Sequence, residues 1–301
     1  MRFSLWGAVD RPFAEVLAGA LEAERRGWHA VYFADHFMPN GADATPLRGN
    51  VYEAMVTLSA LAARTTSIRL GTLVASATYR HPAVAAKMFS TLDELSGGRV
   101  IVGLGAGWQE NEHASYGIRL GSINERVSRF EEYVEIVASM LASESTTFQG
   151  EFYEVTGAPC DPRPVQSPPP ILLGVRGEKR TMALAARYAG TWNAWTTPDD
   201  LRHLNSVLDR HCERLGRDPQ RVTRSTQAMV TISTDEEFLK SRRAAGGGGI
   251  VGTPPEVLEA LAAYRDAGCQ EFIVPTFGVR GADRLVEIIS LLDEGVAQHL
   301  R

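Results

Sequence analysis

Cysteine is scarce in this chain. Cys160, Cys212 and Cys269 are the only three in 301 residues. They lie too far apart for a metal-binding pair and are odd in number for a disulfide framework. The expectation is a reduced, cytoplasmic protein with no metal centre, each thiol a small buried or surface residue. Long apolar runs are missing as well: none approaches the roughly 18 residues a membrane helix needs. The opening Met1-Arg2-Phe3-Ser4-Leu5-Trp6 meets Asp10 and Arg11 too soon for a signal peptide. Basic clusters are absent too, and with a net charge of -5 nothing marks a nucleic-acid face. What is present, 44% hydrophobic and 22% charged residues, suits a globular chain with a large core and small-molecule partners.

Strand-like and helix-like segments alternate along the whole length. Phe3 to Trp6 starts a strand, and Phe13, Val16, Leu17, Ala20, Leu21 and Glu24 keep helical spacing up to Gly27. Trp28 to Phe33 is a second strand. A polar loop, Met38 to Asn50, leads to a helix over Tyr52 to Arg64, and Ile68 to Ala75 is a third strand. Pro82 opens a helix that Gly97-Gly98 ends, and Val100 to Leu104 is the fourth strand. Ser122 and Glu125, at capping-box spacing, open the longest helix. Residues 146–170 break the rhythm, with a hairpin at Phe148 to Tyr153 and a proline-rich connector from Pro162 to Pro170. Strands follow at Ile171 to Gly174, Thr191 to Trp195, Val222 to Ile232 and Phe272 to Pro275. Between them lie helices after Gly177, at Thr197-Pro198-Asp199-Asp200 and at Thr253-Pro254-Pro255-Glu256, and Leu285 to Val296 closes the chain.

Eight strands alternating with helices predict an α/β fold with a parallel sheet, and apolar runs such as Val100 to Leu104 suit strands buried on both faces. Closure into a (β/α)8 TIM barrel is the favoured architecture, one domain over 1–301 with a small insertion, about 146–170, between strands four and five. An open doubly wound sheet is the alternative.

The chemistry centres on Ala34-Asp35-His36-Phe37, directly after the second strand. Barrel enzymes place their reactive groups at the carboxyl ends of strands, and a buried carboxylate there is costly unless paired. Imidazole titrates near neutral pH, so His36 is a candidate general acid/base and Asp35 a candidate to orient it. The plainer alternative has His36 donating to a backbone carbonyl and Asp35 capping a turn. Gly246-Gly247-Gly248-Gly249 lacks the Lys-Ser/Thr ending of a phosphate loop and reads as a mobile loop over the barrel mouth.

Four segments together resemble the luciferase-like monooxygenase superfamily of flavin and deazaflavin oxidoreductases. They are Ala34-Asp35-His36-Phe37; Leu70-Gly71-Thr72-Leu73-Val74 with Tyr79-Arg80-His81-Pro82; Leu95-Ser96-Gly97-Gly98-Arg99 running into Gly103 to Trp108; and Pro170 to Gly174 followed by Arg187 to Asn193. The resemblance implies a TIM barrel with a flavin-type cofactor at its carboxyl face. An Asp-His pair is similar to members that use coenzyme F420, whereas members using FMN with oxygen often carry two histidines or Glu-His.

The implied function is hydride transfer between F420 and a small organic substrate, catalysed by His36 and Asp35. The alternatives are an FMN-dependent monooxygenase and a non-catalytic flavin-binding relative. Family resemblance also implies a cofactor site at Asp35, Leu73, Val74, Ser76, Gly107, Asn111, Val175, Arg176, Gly177 and Glu178. In it, a bulge at Leu73–Val74, sometimes a cis peptide, supports the ring, and Gly174 to Thr181 takes the phosphate. Trp108 stands where related dehydrogenases carry a glutamate acid, so it and Trp6 are candidate walls of the substrate pocket. The loops Met38 to Asn50 and Arg242 to Gly252 are expected to shape that pocket, and a homodimer is expected.

Overall fold

The computed structural model describes residues 1–301 apart from residues 42 and 247. Eight parallel strands form its centre: β1 (Arg2–Trp6), β2 (Ala30–Phe33), β3 (Arg69–Thr72), β4 (Val100–Gly105), β5 (Ile171–Gly174), β6 (Thr191–Trp195), β7 (Thr223–Gln227) and β8 (Glu271–Pro275). Each pairs with the next, and β1 pairs with β8, so the ring is closed. Helices such as Phe13–Arg25, Pro82–Ser96 and Ile123–Ala142 connect successive strands around the outside. This is a (β/α)8 TIM barrel. Because strand side chains alternate, one set packs outward against the helices, as Val31 and Phe33 do. The other set, including Trp6, Tyr32, Leu73, Ile101, Leu172 and Ile273, forms a separate inner cluster.

Sequence punctuation explains several boundaries. His81 accepts a hydrogen bond from the Ala83 N–H, with Pro82 in the first turn of its helix. That helix ends at Gly97, whose φ of 67° few other residues adopt. The insertion is an antiparallel pair, Ser145–Gln149 with Glu154–Pro159. No helix of the described residues is long and apolar enough to cross a membrane.

Two strand readings need correction. The third strand does not run unbroken from Ile68 to Ala75. β3 stops at Thr72, the Leu73–Val74 peptide is cis, and a short strand resumes at Ala75–Ser76. Along β4 the pairing moves from Gly71 opposite Ile101 to Ala75 opposite Leu104, so one extra residue is accommodated between them. That is a bulge at the mouth of the barrel, and with its cis peptide it falls at Leu73–Val74, where the family resemblance placed it.

The seventh strand is likewise two pieces. Thr223–Gln227 belongs to the barrel, while Val230–Ile232 leaves it and pairs with Ile250–Gly252 in a separate parallel sheet. Once past the barrel rim, the backbone groups of Val230–Ile232 need new partners, and Ile250–Gly252 supplies them.

At Gly103 a Cβ would lie 1.8 Å from the Thr72 carbonyl oxygen, a backbone atom held by the ring itself. Gly103→Ala is therefore expected to destabilise the barrel by about 3 kcal/mol. Urea denaturation with an unchanged midpoint would contradict this.

Candidate active site

At the carboxyl end of the barrel is a cavity of about 510 Å³, a size typical of sites for cofactors and drug-sized ligands. The ends of β2, β3, β4 and β5 contribute Ala34 to His36, Leu73 and Val74, Gly107 and Trp108, and Gly174 to Arg176. From the remaining arc come Trp195, Gln227, Phe277 and Trp6. The bulge after β3 brings Leu73 and Val74 into this lining.

Two buried carboxylates organise the mouth. Asp35 accepts the Ser76 N–H at 3.0 Å and a bidentate pair from Arg80, at 2.6 and 3.0 Å. Burial alone would lower the Arg80 guanidinium, but its hydrogen bonds to Asp35 and the charge of Glu53 outweigh this and raise it. Arg80 also binds Glu53, whose other oxygen caps the helix Ala54–Ala62 by accepting the Val56 N–H. With both oxygens engaged this way, Asp35 makes no hydrogen bond to His36 and does not orient it, which corrects the sequence expectation.

Glu112 performs that contact instead. It lies on a short helix, Glu110–Tyr116, and is fully buried. It accepts from His36 Nδ1 at 2.7 Å, from the Phe37 N–H at 2.8 Å and from the Tyr79 hydroxyl. Burial would push the Glu112 carboxyl up. The bonds from His36, Phe37 and Tyr79 win and hold it below its ordinary value. An ionised carboxylate only accepts, so His36 carries its proton on Nδ1. Nε2 then remains, with no hydrogen-bond partner among the described residues. The Tyr79 hydroxyl is pushed up by burial and by Glu112, and stays protonated.

Trp108 stands edge-on to the His36 ring, 5.6 Å between centroids. Gly107 adopts φ 83°, and a Cβ there would come within 2.8 Å of the Ser76 and Thr78 hydroxyls. Only a residue without that atom lets the chain after β4 lie this close to the bulge.

Other candidates fall elsewhere. Asn111 is buried outside the cavity lining: its Nδ2 donates to the Pro39 carbonyl and its Oδ1 accepts the Glu112 N–H. This corrects its expected cofactor contact. The Glu178 carboxylate pairs with His203 and does not line the cavity, nor does Gly177. Val175 and Arg176 do, with Arg176 held by Asp200 at 3.1 Å. Backbone N–H groups of residues 176–180 donate to no acceptor among the described residues.

Of the described residues of the loop 38–50 only Asn40 reaches the lining, and no described residue of 242–252 does, contrary to expectation. Gly247, in the four-glycine run, lies outside the described residues.

Sequence reasoning missed Glu112, Tyr79 and Arg80 as site residues. Their signal was position: charged and hydroxyl side chains just past the ends of β3 and β4, the strands that follow β2 in the ring.

The luciferase-like monooxygenase family model matches residues 1–246. This chain belongs to that family. A relative from Microbacterium testaceum, named F420-dependent glucose-6-phosphate dehydrogenase, is 32% identical over 227 residues, 74% of this chain and 66% of its own length. Another of that name, from Amycolatopsis mediterranei, is 34% identical over 172 residues, 57% of this chain and 49% of its own. The chain thus spans between about half and two thirds of these relatives. Among solved structures, an F420-dependent secondary alcohol dehydrogenase in complex with an F420–acetone adduct superposes with TM-score 0.85 at 18% identity, covering 100% of this chain and 99% of its own. An EDTA monooxygenase from Chelativorans superposes with TM-score 0.83 at 15% identity, covering 99% and 94%. The luciferase-like barrel is therefore common to proteins named for both kinds of chemistry.

Two outcomes follow from the carboxylates. Arg80→Met leaves Asp35 buried without its cation and is expected to cost about 3–5 kcal/mol in urea unfolding, with Asp35→Asn/Arg80→Met recovering part of the loss. Because the folded Glu112 carboxyl lies below its ordinary 4.5, its stabilising contribution is complete above that pH and fades as pH falls below it. The stability gap between wild type and Glu112→Gln should therefore be constant near neutrality and shrink in acid.

Proposed function

We propose that this protein is a coenzyme F420-dependent oxidoreductase that transfers hydride between the deazaflavin and a small organic substrate. The observation that carries the reading is His36, its Nδ1 fixed by a buried carboxylate and its Nε2 left without a partner, on a residue lining the barrel-mouth cavity. Relatives named for F420 over most of this chain favour that cofactor over FMN.

The residues present fit such a group. Leu73, Val74 and Gly107 line the cavity with apolar atoms suited to a tricyclic ring. The turn 176–180, at the start of the helix Thr181–Tyr188, offers unpartnered N–H groups of the kind that bind phosphate. Leu73, Val74, Ser76, Gly107, Val175, Arg176 and the backbone of Gly177 and Glu178 are the residues assigned to hold it. A bound deazaflavin supplies a carbon-centred hydride carrier that reacts poorly with oxygen.

The chain's own part is positioning and one proton. His36 Nε2 gives or takes that proton, and Glu112 keeps the opposite nitrogen protonated and the ring in place. Tyr79 and the Phe37 N–H hold Glu112 in turn. Asp35, locked to Arg80, sets the backbone from which His36 projects. The working form we propose is a cytoplasmic homodimer of one-domain barrels. Exposed Val56, Val84 and Leu95 on two successive outer helices support the pairing.

Titration of the purified protein should show saturable F420 binding and markedly weaker FMN binding. The reverse order would overturn the cofactor assignment. With F420 turnover followed by absorbance across a panel of alcohols and carbonyl compounds, His36→Ala should lower kcat by about 10²–10⁴-fold. Unchanged turnover would remove His36 from its role.

A further inference from the structure

The strand order splits the cavity into two unlike halves. The arc from β3 to β5 contributes Leu73, Val74, Gly107, Gly174 and Val175. Across the ring, the arc from β6 to β1 contributes Trp195, Phe277 and Trp6. Trp6 touches both of the others: it lies 5.6 Å from Trp195 and 5.1 Å from Phe277, centroid to centroid. Trp195 is 43% exposed and Phe277 39% exposed, and Trp108 at the edge of the cavity is 55% exposed. Large aromatic side chains left this open on a concave surface are an apolar binding wall.

Charge on the lining is already matched. Arg176 is bridged to Asp200 and donates to the Trp195 carbonyl. Asp35 is paired with Arg80, and His36 with Glu112. An anionic ligand group at the aromatic wall would find no unpaired cation among the described lining residues, and desolvating it there would be unfavourable. Two neutral donors are available, one of them the Trp6 indole N–H, buried without a partner among the described residues. Gln227 accepts from Asn193 through Oε1 at 2.8 Å, while its Nε2 donates to no protein acceptor among the described residues.

We infer that the second ligand of this site is an uncharged, ring-bearing organic molecule with a neutral oxygen, a ketone or alcohol, seated against Trp6, Trp195 and Phe277. A sugar phosphate would find no unpaired cation along the aromatic wall. The inference rests on the deazaflavin reading, which assigns the β3–β5 arc to the cofactor and leaves the aromatic arc free.

Three probes test it by calorimetry and tryptophan fluorescence, on the protein with and without F420: 2-acetylnaphthalene, 2-naphthoate with the same ring but a negative charge, and glucose 6-phosphate. The neutral ketone should bind saturably and quench tryptophan emission, and the two anions should bind at least about tenfold more weakly. Trp195→Ala and Phe277→Ala, at half-exposed positions, should each weaken the ketone by about tenfold with unchanged circular dichroism. Tighter binding of either anion, no saturable binding of the ketone, or unchanged ketone affinity in both variants would overturn the inference. F420 titrations on the same samples separate the two readings. F420 bound with the ketone excluded removes this inference alone, whereas ketone bound with F420 excluded removes the deazaflavin reading alone.

Discussion

A carboxylate taken out of water must be given hydrogen bonds or a countercharge, and the mouth of this barrel contains two such groups. Asp35 is satisfied by Arg80 and the Ser76 N–H, and Glu112 by His36, Tyr79 and the Phe37 N–H. The donors come from the ends of β2 and β3, and Glu112 itself from the short helix after β4. Meeting the needs of two anions therefore draws three neighbouring strand ends into one arrangement. The imidazole that faces the cavity is held by that arrangement rather than by a hydrogen bond added for the purpose. Adjacent residues divide the work: Tyr79 serves the carboxylate of His36, and Arg80 serves Asp35.

The fold was legible because its signals are local and repeated. Apolar runs four to six residues long, proline at helix starts and glycine at helix ends recur around the ring, and a closed parallel barrel satisfies all of them. The errors came where backbone pairing is decided by neighbours distant in sequence. Ile68 to Ala75 reads as one run, and its composition does not mark where pairing with β4 shifts by a residue; the family resemblance alone pointed to Leu73–Val74. Val222 to Ile232 also reads as one run, yet its last part finds a partner in Ile250–Gly252 outside the barrel.

Site residues divide in a similar way. Asp35 and His36 stand out because charge follows directly on an apolar strand. Glu112 does not, since Glu110 lies two positions away on the same short helix, and spacing alone cannot say which of the two faces inward. Asn111 shows the complementary error. The family resemblance implied a cofactor contact for it, but here its amide is taken up by Pro39 and by the backbone of Glu112. The half of the barrel that shapes the aromatic wall drew the least attention from sequence, because Trp195 and Phe277 are indistinguishable from core residues until the ring is closed.

Glu53 carries a further implication. One of its oxygens caps a surface helix and the other accepts from Arg80 Nη2, which together with Nη1 also donates to Asp35. The outer helix that displays Val56 is thereby geared to the barrel mouth through a single guanidinium. A helix on the outer layer and the carboxylate beside His36 therefore share one cation, although they lie on different sides of the strand layer.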